Sequence, residues 1–588
     1  MGGEADSQEK AHSLTPLQNR IRGMAVEPQP ETGGPVKSTV VASAHSNQPS
    51  PRPWWSRGLS LLHPSHAHSV FSASVLLAAS SVVSALVGLA RGKYIAWVFG
   101  AGPQTDAYMA AFRLPDLMSN FLVGGAVSIT FVTILNQYRE RSEEDEGERV
   151  LFTVLNLMVL VLIAASILLM FLAVPFVRWT NPGFPPAQVA LCAHMTRILL
   201  PAQIFLFAGS VLGATLLVRK QFLYQAATPI LYNLSIIACG VLLHRTLGVS
   251  SLALGATLGF LIGSLAINAA GVLRAGIRFR WEIDLHHPGL RLWLYMTLPL
   301  MFGFTLPFLD QYFAGFYASH GAGDITRLAN AKQIFSAPMS MLSQAAGVAA
   351  MPFFAQLWAK QERYEFAVGV ADSVSRVVAL SLLAASAMIA LSHSIAGVIF
   401  GGGRFTPSDV NLTAWFFALY TLSLFAWSAQ AIYARAFYAA GITWLPMGAS
   451  TLILLVAFPL YGLGYQWWGA AGLALASGAG ILLQAVTLAV LLHKRRMVSI
   501  ASLDYAEMGR CLGSAVGAGG VTAFLAWALR RLFGHFGGAG LLHHTRVQDL
   551  VILAAGTVLW LAAAKWSLEK TGSALPRVAM KRLGLHSN

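Results

Sequence analysis

The stretch SALVGLARGKYIAWVFGAGPQTDAYMAAFRLPDLMSNFLVGGAVSITFVTILNQYR, Ser84 to Arg139, decides how this chain is read. Two apolar runs flank a tight Gly100-Ala101-Gly102-Pro103 turn, and Arg91, Asp106, Arg113 and Asp116 fall inside or at the lip of the apolar layer. A charge in the middle of a bilayer helix costs about 2.5–3.5 kcal/mol on insertion scales, so charges at that depth face a protein interior or a wet cavity and mark a pathway. The rest of the chain reads as the housing of that cavity.

Working outward, the 588 residues are 56% hydrophobic and 11% charged, whereas a soluble domain carries about 25% charged residues. The fold class is an all-α polytopic membrane protein. The net charge of +15 does not point to nucleic acid, because Lys and Arg sit in short loops between apolar runs, as topology determinants with affinity for anionic membrane lipids. Cys192, Cys239 and Cys511 are far apart, each in an apolar run, and make neither a disulfide framework nor a zinc spacing. His63, His66 and His68 have no acidic or Cys neighbour and read as part of an interfacial anchor with Pro53-Trp54-Trp55-Ser56-Arg57, not as a metal site.

A spanning helix needs about 20 mainly apolar residues. Fourteen such segments lie between Phe71 and Leu568, among them Thr105–Asn136 as the second and Leu292–Ser319 as the seventh. Residues 1–66, rich in Ser, Pro, Gly and Gln without periodicity, read as a disordered cytoplasmic tail. Residues 67–273 hold segments one to six, 274–493 segments seven to twelve, 494–570 the last two, and 571–588 a second cytoplasmic tail. With the N-terminus cytoplasmic, the inner loops hold fifteen Lys and Arg residues and the outer loops seven, so the positive-inside rule places both termini in the cytoplasm. Arg530, Arg531 and Arg546 make the last outer loop an exception.

The two sets of six segments repeat. Pro115 aligns with Pro338, Gly124 with Gly347, and Leu206-Phe207-Ala208 recurs as Leu424-Phe425-Ala426. Two pseudo-symmetric six-helix lobes with an axis along the membrane normal follow, plus two C-terminal helices. Paired breaks at Leu114-Pro115 and Ala337-Pro338, with Leu298-Pro299 and Leu306-Pro307 in segment seven, are the sequence mark of a transport site. Gly513 and Gly517 offer a small-residue packing face in segment thirteen.

The candidate substrate-binding residues are Arg91, Asp106, Arg113, Asp310, Lys332 and Gln333. Arg113 aligns with Ser336, and Lys332 lies one turn before it, so both lobes offer cations to one cavity, with Asp106 and Asp310 to balance them. Guanidinium binds phosphate as a planar fork, Lys as a point charge, and the set suits an amphipathic lipid phosphate or pyrophosphate. Each cation also has a purely structural alternative: Arg91 paired with Asp106, Arg113 snorkelling, Lys332 neutralising Asp310. Asp116, Asp324 and Arg327 read as solvated helix ends, and Trp467 and Trp468 as interface belt.

Gly88-Leu89-Ala90-Arg91, Phe99-Gly100-Ala101-Gly102, Thr105-Asp106-Ala107-Tyr108 and Ala111-Phe112-Arg113-Leu114-Pro115 resemble the lipid II flippase family, MurJ/MviN, of the multidrug/oligosaccharidyl-lipid/polysaccharide exporter superfamily. The resemblance implies alternating access between the lobes and a cationic cavity for the pyrophosphate. It also implies a groove at the last two helices for the polyprenyl tail, with Arg91 and Asp106 at functional positions. Ala85, Ser119, Gln333 and Ser336 stand where the family often carries charge, while Lys332 partly restores it.

With this resemblance, the expected function is translocation of the lipid-linked peptidoglycan precursor, lipid II, with its undecaprenyl-pyrophosphate-linked head group, across a bacterial inner membrane by alternating access. It needs no enzyme chemistry and no cofactor, with resetting coupled to the membrane potential or a cation gradient and with cell-wall synthesis proteins as partners. The alternatives are a flippase for O-antigen or another polysaccharide unit, a drug exporter, and a non-transporting cell-wall scaffold. A drug exporter usually has twelve spans and an acidic cavity. A scaffold would keep its phenotype without Arg91. A membrane glycosyltransferase or phosphatase needs a sizeable polar loop, and the loops here are short.

Overall fold

A computed structural model describes residues 70–123, 126–301, 306–536 and 545–575. The N-terminal tail with its Trp54-Trp55 anchor and His63, His66 and His68 lies outside the described residues, as do Gly124 and residues 576–588. In the first half, α1 (Val70–Phe99) leads through the turn to α2 (Pro103–Ala111), α3 (Arg113–Met118) and α4 (Ala126–Glu140). Next come α5 (Glu144–Thr180), α6 (Pro186–Leu199), α7 (Ala202–Val218), α8 (Leu223–Leu247), α9 (Ser250–Phe260) and α10 (Ile267–Arg274). The second half runs α11 (Pro288–Met301), α12 (Leu306–Ala318), α13 (Asp324–Met339), α14 (Ala345–Ala359), α15 (Arg363–Ala390) and α16 (Ser392–Phe400). It continues as α17 (Pro407–Thr421), α18 (Leu424–Ala439), α19 (Trp444–Trp468) and α20 (Ala470–Lys494), and α21 (Tyr505–Phe536) and α22 (Thr545–Lys570) end the chain.

Among the described residues eleven helical stretches are long and apolar enough to cross a bilayer, and α17 with α18, bent by 41°, makes a twelfth. The two remaining predicted segments are α2 to α4 and α11 to α12, each interrupted by residues outside the described set, so the architecture is compatible with fourteen. The paired breaks look alike. Within about one turn of Pro115 the backbone widens into a π-helix over Ser119–Val123, and after Pro338 it does so over Ser340–Gln344. A third π-helix, over Leu261–Ala266, has no proline before it, so proline is not needed for the widening.

The turn between α1 and α2 needs its glycine. Gly100 has φ +73°, and a Cβ on it would stand 2.7 Å from the Arg404 carbonyl oxygen. Pro103 opens α2, and the Thr105 hydroxyl accepts the Gly102 N–H at 2.9 Å. This end joins the two halves. The Trp97 carbonyl accepts Arg404 N–H at 2.9 Å, Lys93 donates to the Val398 carbonyl at 2.6 Å, and Gly183 N–H donates to Ser319 Oγ at 3.0 Å.

Helix α11 belongs by packing to the first half, although the sequence boundary at 274 assigns it to the second. Leu290 and Trp293 are buried with Val150, Leu151 and Phe131, and the Trp293 and Phe131 rings lie 6.0 Å apart. Helix α12 packs instead on α19 and α20. The breaks read at Pro299 and Pro307 thus mark where one membrane segment passes from one half to the other; residues 302–305 between the helices are not described.

Helices α21 and α22 pack on each other and on α15 and α16. Gly513 and Gly517 are not the packing face expected: nothing stands within 4 Å of a Cβ on either, whereas one on Gly519 would meet Ser386 at 3.1 Å. Two of the arginines that made the last loop exceptional have local work. Arg530 donates to Ser394 Oγ at 2.9 Å and Arg546 to the Gly401 carbonyl at 3.1 Å, tying the last two helices to opposite ends of α16. Trp467 and Trp468 are 67% and 58% exposed at the end of α19, as interface residues should be.

Candidate functional site

Between the halves, below the sealed end, lies a cavity of about 300 Å³. Arg91, Arg113, Asp116, Asp310, Lys332 and Gln333 are on its wall. Five of the six residues chosen from sequence are therefore brought together, and Asp106 is not among them.

Arg91 lies eight residues before the end of α1, about 12 Å along the axis. Its guanidinium stands 5.9 Å from the centre of the Tyr232 ring on α8, and its buried Nε has no hydrogen-bond partner. Arg113 is 4% exposed, so it does not snorkel. Its Nη1 donates to Asn181 Oδ1 at 2.5 Å and to the Thr180 carbonyl at 3.3 Å. Both acceptors are neutral, and neither forms an ion pair with it. The guanidinium lies against Gly315 of α12, where a Cβ would collide with Nη2, so the absence of a side chain at Gly315 makes room for it.

The opposite wall is self-neutralised. Lys332 on α13 forms an ion pair with Asp310 on α12, and the Tyr461 hydroxyl of α19 donates to the other oxygen of the same carboxylate. Asp310 is 2% exposed and Tyr461 fully buried. Gln333 donates to the Gly88 carbonyl at 3.3 Å, joining α13 to α1 across the cavity.

Asp106 was expected to balance the cavity cations, and the structure corrects that. It is 1% exposed and accepts Gly323 N–H at 2.6 Å, Thr326 N–H at 2.8 Å and the Thr326 hydroxyl at 2.7 Å. The first turn of a helix presents unsatisfied N–H groups and the positive end of its dipole, and α13 begins at Asp324, so a carboxylate from the other half is drawn there. Nor are Asp116, Asp324 and Arg327 solvated ends. Asp116 is half-buried on the cavity wall, about 17 Å into the second segment. Arg327 bridges Asp324 at 2.9 Å and Asp409 at 2.8 Å beside the seal.

Known proteins share this all-helical fold. The family model described as "Lipid II flippase MurJ" matches residues 95–537. The chain belongs to this family. Similar relatives include the lipid II flippase MurJ of Burkholderia cenocepacia, 26% identical over 441 residues, 73% of this chain and 84% of that protein. The probable lipid II flippase MurJ of Rhizobium tropici is 27% identical over 499 residues, 83% of this chain and 93% of that protein. A solved lipid II flippase MurJ in an inward closed conformation superposes with TM-score 0.67 at 19% identity, covering 84% of this chain and 99% of that one. An inward-facing multidrug resistance MATE transporter of the MOP superfamily gives 0.58 at 15% identity, covering 72% and 98%.

The four positions at which the resemblance leads one to expect charge fall unevenly. Ala85 and Ser336 are exposed and Ser119 is half-buried, all off the cavity wall, whereas Gln333 is on it. Sequence reasoning missed Tyr461, Asn181 and Tyr232, the partners of the cavity charges. A buried charge advertises that a partner exists, but no spacing says which distant helix supplies it.

Proposed function

We propose that this protein translocates lipid II, the undecaprenyl-pyrophosphate-linked peptidoglycan precursor, across the bacterial inner membrane by alternating access. The observation that carries this reading is the pair Arg91 and Arg113, neither in an ion pair among the described residues, on one wall of a cavity set between repeated halves. Two guanidinium groups without carboxylate partners offer a fork-shaped, always ionised receptor for a pyrophosphate. The polyprenyl tail stays in lipid, where α21 and α22 present exposed Val516, Phe524 and Val558. With both termini cytoplasmic, the seal at Asp106, Arg327 and Trp97 is periplasmic, and the cavity captures the head group from inside.

Transport of this kind makes and breaks no covalent bond. Rocking of the halves opens the seal and re-exposes the head group, and a charge carried through 100 mV is worth about 2.3 kcal/mol, enough for the membrane potential or a cation gradient to reset the cycle. Cell-wall synthesis proteins are the partners that would supply and consume this substrate.

The test is complementation in bacteria depleted of their own lipid II flippase, with surface-exposed lipid II as the readout. Rescue that disappears with Arg91→Ala supports the reading, and correct insertion without rescue counts against it. Gln333, the one neutral departure on the cavity wall, favours a second reading, a flippase for another undecaprenyl-linked glycan such as an O-antigen or polysaccharide unit. Rescue of such a pathway alone would select it.

A further inference from the structure

A second chamber, of about 310 Å³, opens on the other side of Lys332, whose side chain is part of both walls. Lys332, Ser336 and Met339 line it along one face of α13, a run of about 10 Å. Helix α18 adds Trp427, Gln430 and Arg435. Among the described residues no carboxylate is on its wall, and with Lys332 paired to Asp310 the net positive charge there comes from Arg435.

Three features describe what fits it. The Arg435 guanidinium lies over Gly347, with Cζ, Nε and Nη1 each 3.3 Å from the place a Cβ would take, so this glycine sets where the charge sits. Gln484 on α20 is 2% exposed; its Nε2 donates to Ser450 Oγ at 2.5 Å, and its buried Oε1 has no hydrogen-bond partner. A buried acceptor left unmade is costly and calls for an N–H or O–H from a guest. Trp427 and Phe335 add an apolar part of the wall, of the kind that receives the apolar portions of a guest.

We infer that this chamber is the subsite for the carboxylate-bearing peptide part of the head group. Arg435 pairs a carboxylate and Gln484 Oε1 accepts an amide or hydroxyl hydrogen, while the pyrophosphate lies on Arg91 and Arg113. Lys332 stands at the junction. The inference rests on the lipid II reading and adds where the far end of the head group goes and what selects it.

The experiment measures binding to the full-length protein in lipid nanodiscs of undecaprenyl pyrophosphate, of lipid II, and of lipid II with its peptide carboxylates amidated. The wild type should bind lipid II about tenfold more tightly than the amidated form, the scale of one charge-assisted pair. Arg435→Gln should erase that difference and leave undecaprenyl pyrophosphate binding unchanged, which also shows that the variant is folded. Gln484→Glu, placing a carboxylate beside the guest's own, should weaken lipid II and again spare undecaprenyl pyrophosphate. Equal binding of free and amidated lipid II by the wild type, or equal loss of all three ligands in Arg435→Gln, overturns the subsite alone. No binding of undecaprenyl pyrophosphate to the wild type overturns the flippase reading and the subsite with it.

Discussion

The two walls of the central cavity come from repeated halves of one chain, yet they handle charge in opposite ways. On the first, Arg91 faces an aromatic ring with a buried Nε unmet, and Arg113 is held only by an amide and a backbone carbonyl. On the second, Lys332 is neutralised by Asp310, itself held by Tyr461. A neutral acceptor fixes a guanidinium in place without cancelling its charge, whereas a carboxylate fixes an ammonium and cancels it. The first wall is therefore built to receive an anion and the second to hold its helices together.

The largest effect should come from breaking the second wall. Lys332→Ala leaves Asp310 buried without its cation; removing one partner of a fully buried pair costs about 3–5 kcal/mol, and the 30% exposure of the Lys332 side chain puts this pair at the low end, about 3 kcal/mol. Thermal unfolding in nanodiscs should show a strong destabilisation. The double variant Lys332→Met with Asp310→Asn removes both charges and should recover most of that loss. A double variant as unstable as the single one would mean that Lys332 is held by something other than this carboxylate.

Arg91→Ala should do the reverse, leaving stability nearly intact and lowering transport about a hundredfold, or about 2.8 kcal/mol of ligand interaction. The measurement is rescue of lipid II exposure together with the unfolding temperature. A large fall in stability with transport preserved would exchange the roles of the two walls.

The sequence shows the first wall better than the second. Arg91 is legible because an arginine two-thirds along an apolar run demands a reason, and the paired prolines and the Leu-Phe-Ala echo make the repeat, and so the cavity, visible. The seal is not legible. Asp106 looks like a cavity carboxylate because its depth in the segment is all that the sequence gives, and what captures it is the N-terminus of a helix 217 residues away. Asp116 looks like a solvated end for the complementary reason: α2 and α3 run on past the break at Phe112, so a residue that looks terminal is deep. Gly513 and Gly517 have the right spacing and face nothing, because spacing fixes a helix face and not the neighbour it meets.

A smaller effect is expected at the seal. Asp106→Asn keeps one acceptor oxygen but loses the charge that α13 favours, at a cost of about 1.5 kcal/mol, the low end for a hydrogen bond to a charged group. The state sealed at this end should give way to the open one by about tenfold. Spin labels at Gln104 and Ser408, exposed positions on opposite halves at the sealed end, should show the longer distance gaining population. An unchanged distribution would leave Asp106 a local cap with no part in holding the halves together.

The smallest effect probes how the first wall keeps its charge in place. A methyl group at Gly315 takes the space of the Arg113 guanidinium, which can swing away from Asn181 without disturbing the backbone. Gly315→Ala should thus keep its stability and reduce transport by roughly fivefold, about 1 kcal/mol. Asn181→Ala releases the same guanidinium from the other side. If both act only through the position of Arg113, their effects will not add, since residues sharing one partner are coupled. Additive losses would mean that Gly315 matters for the fit of α12 against the opposite half, and the anion-receiving charge of the first wall would then rest on Arg91 alone.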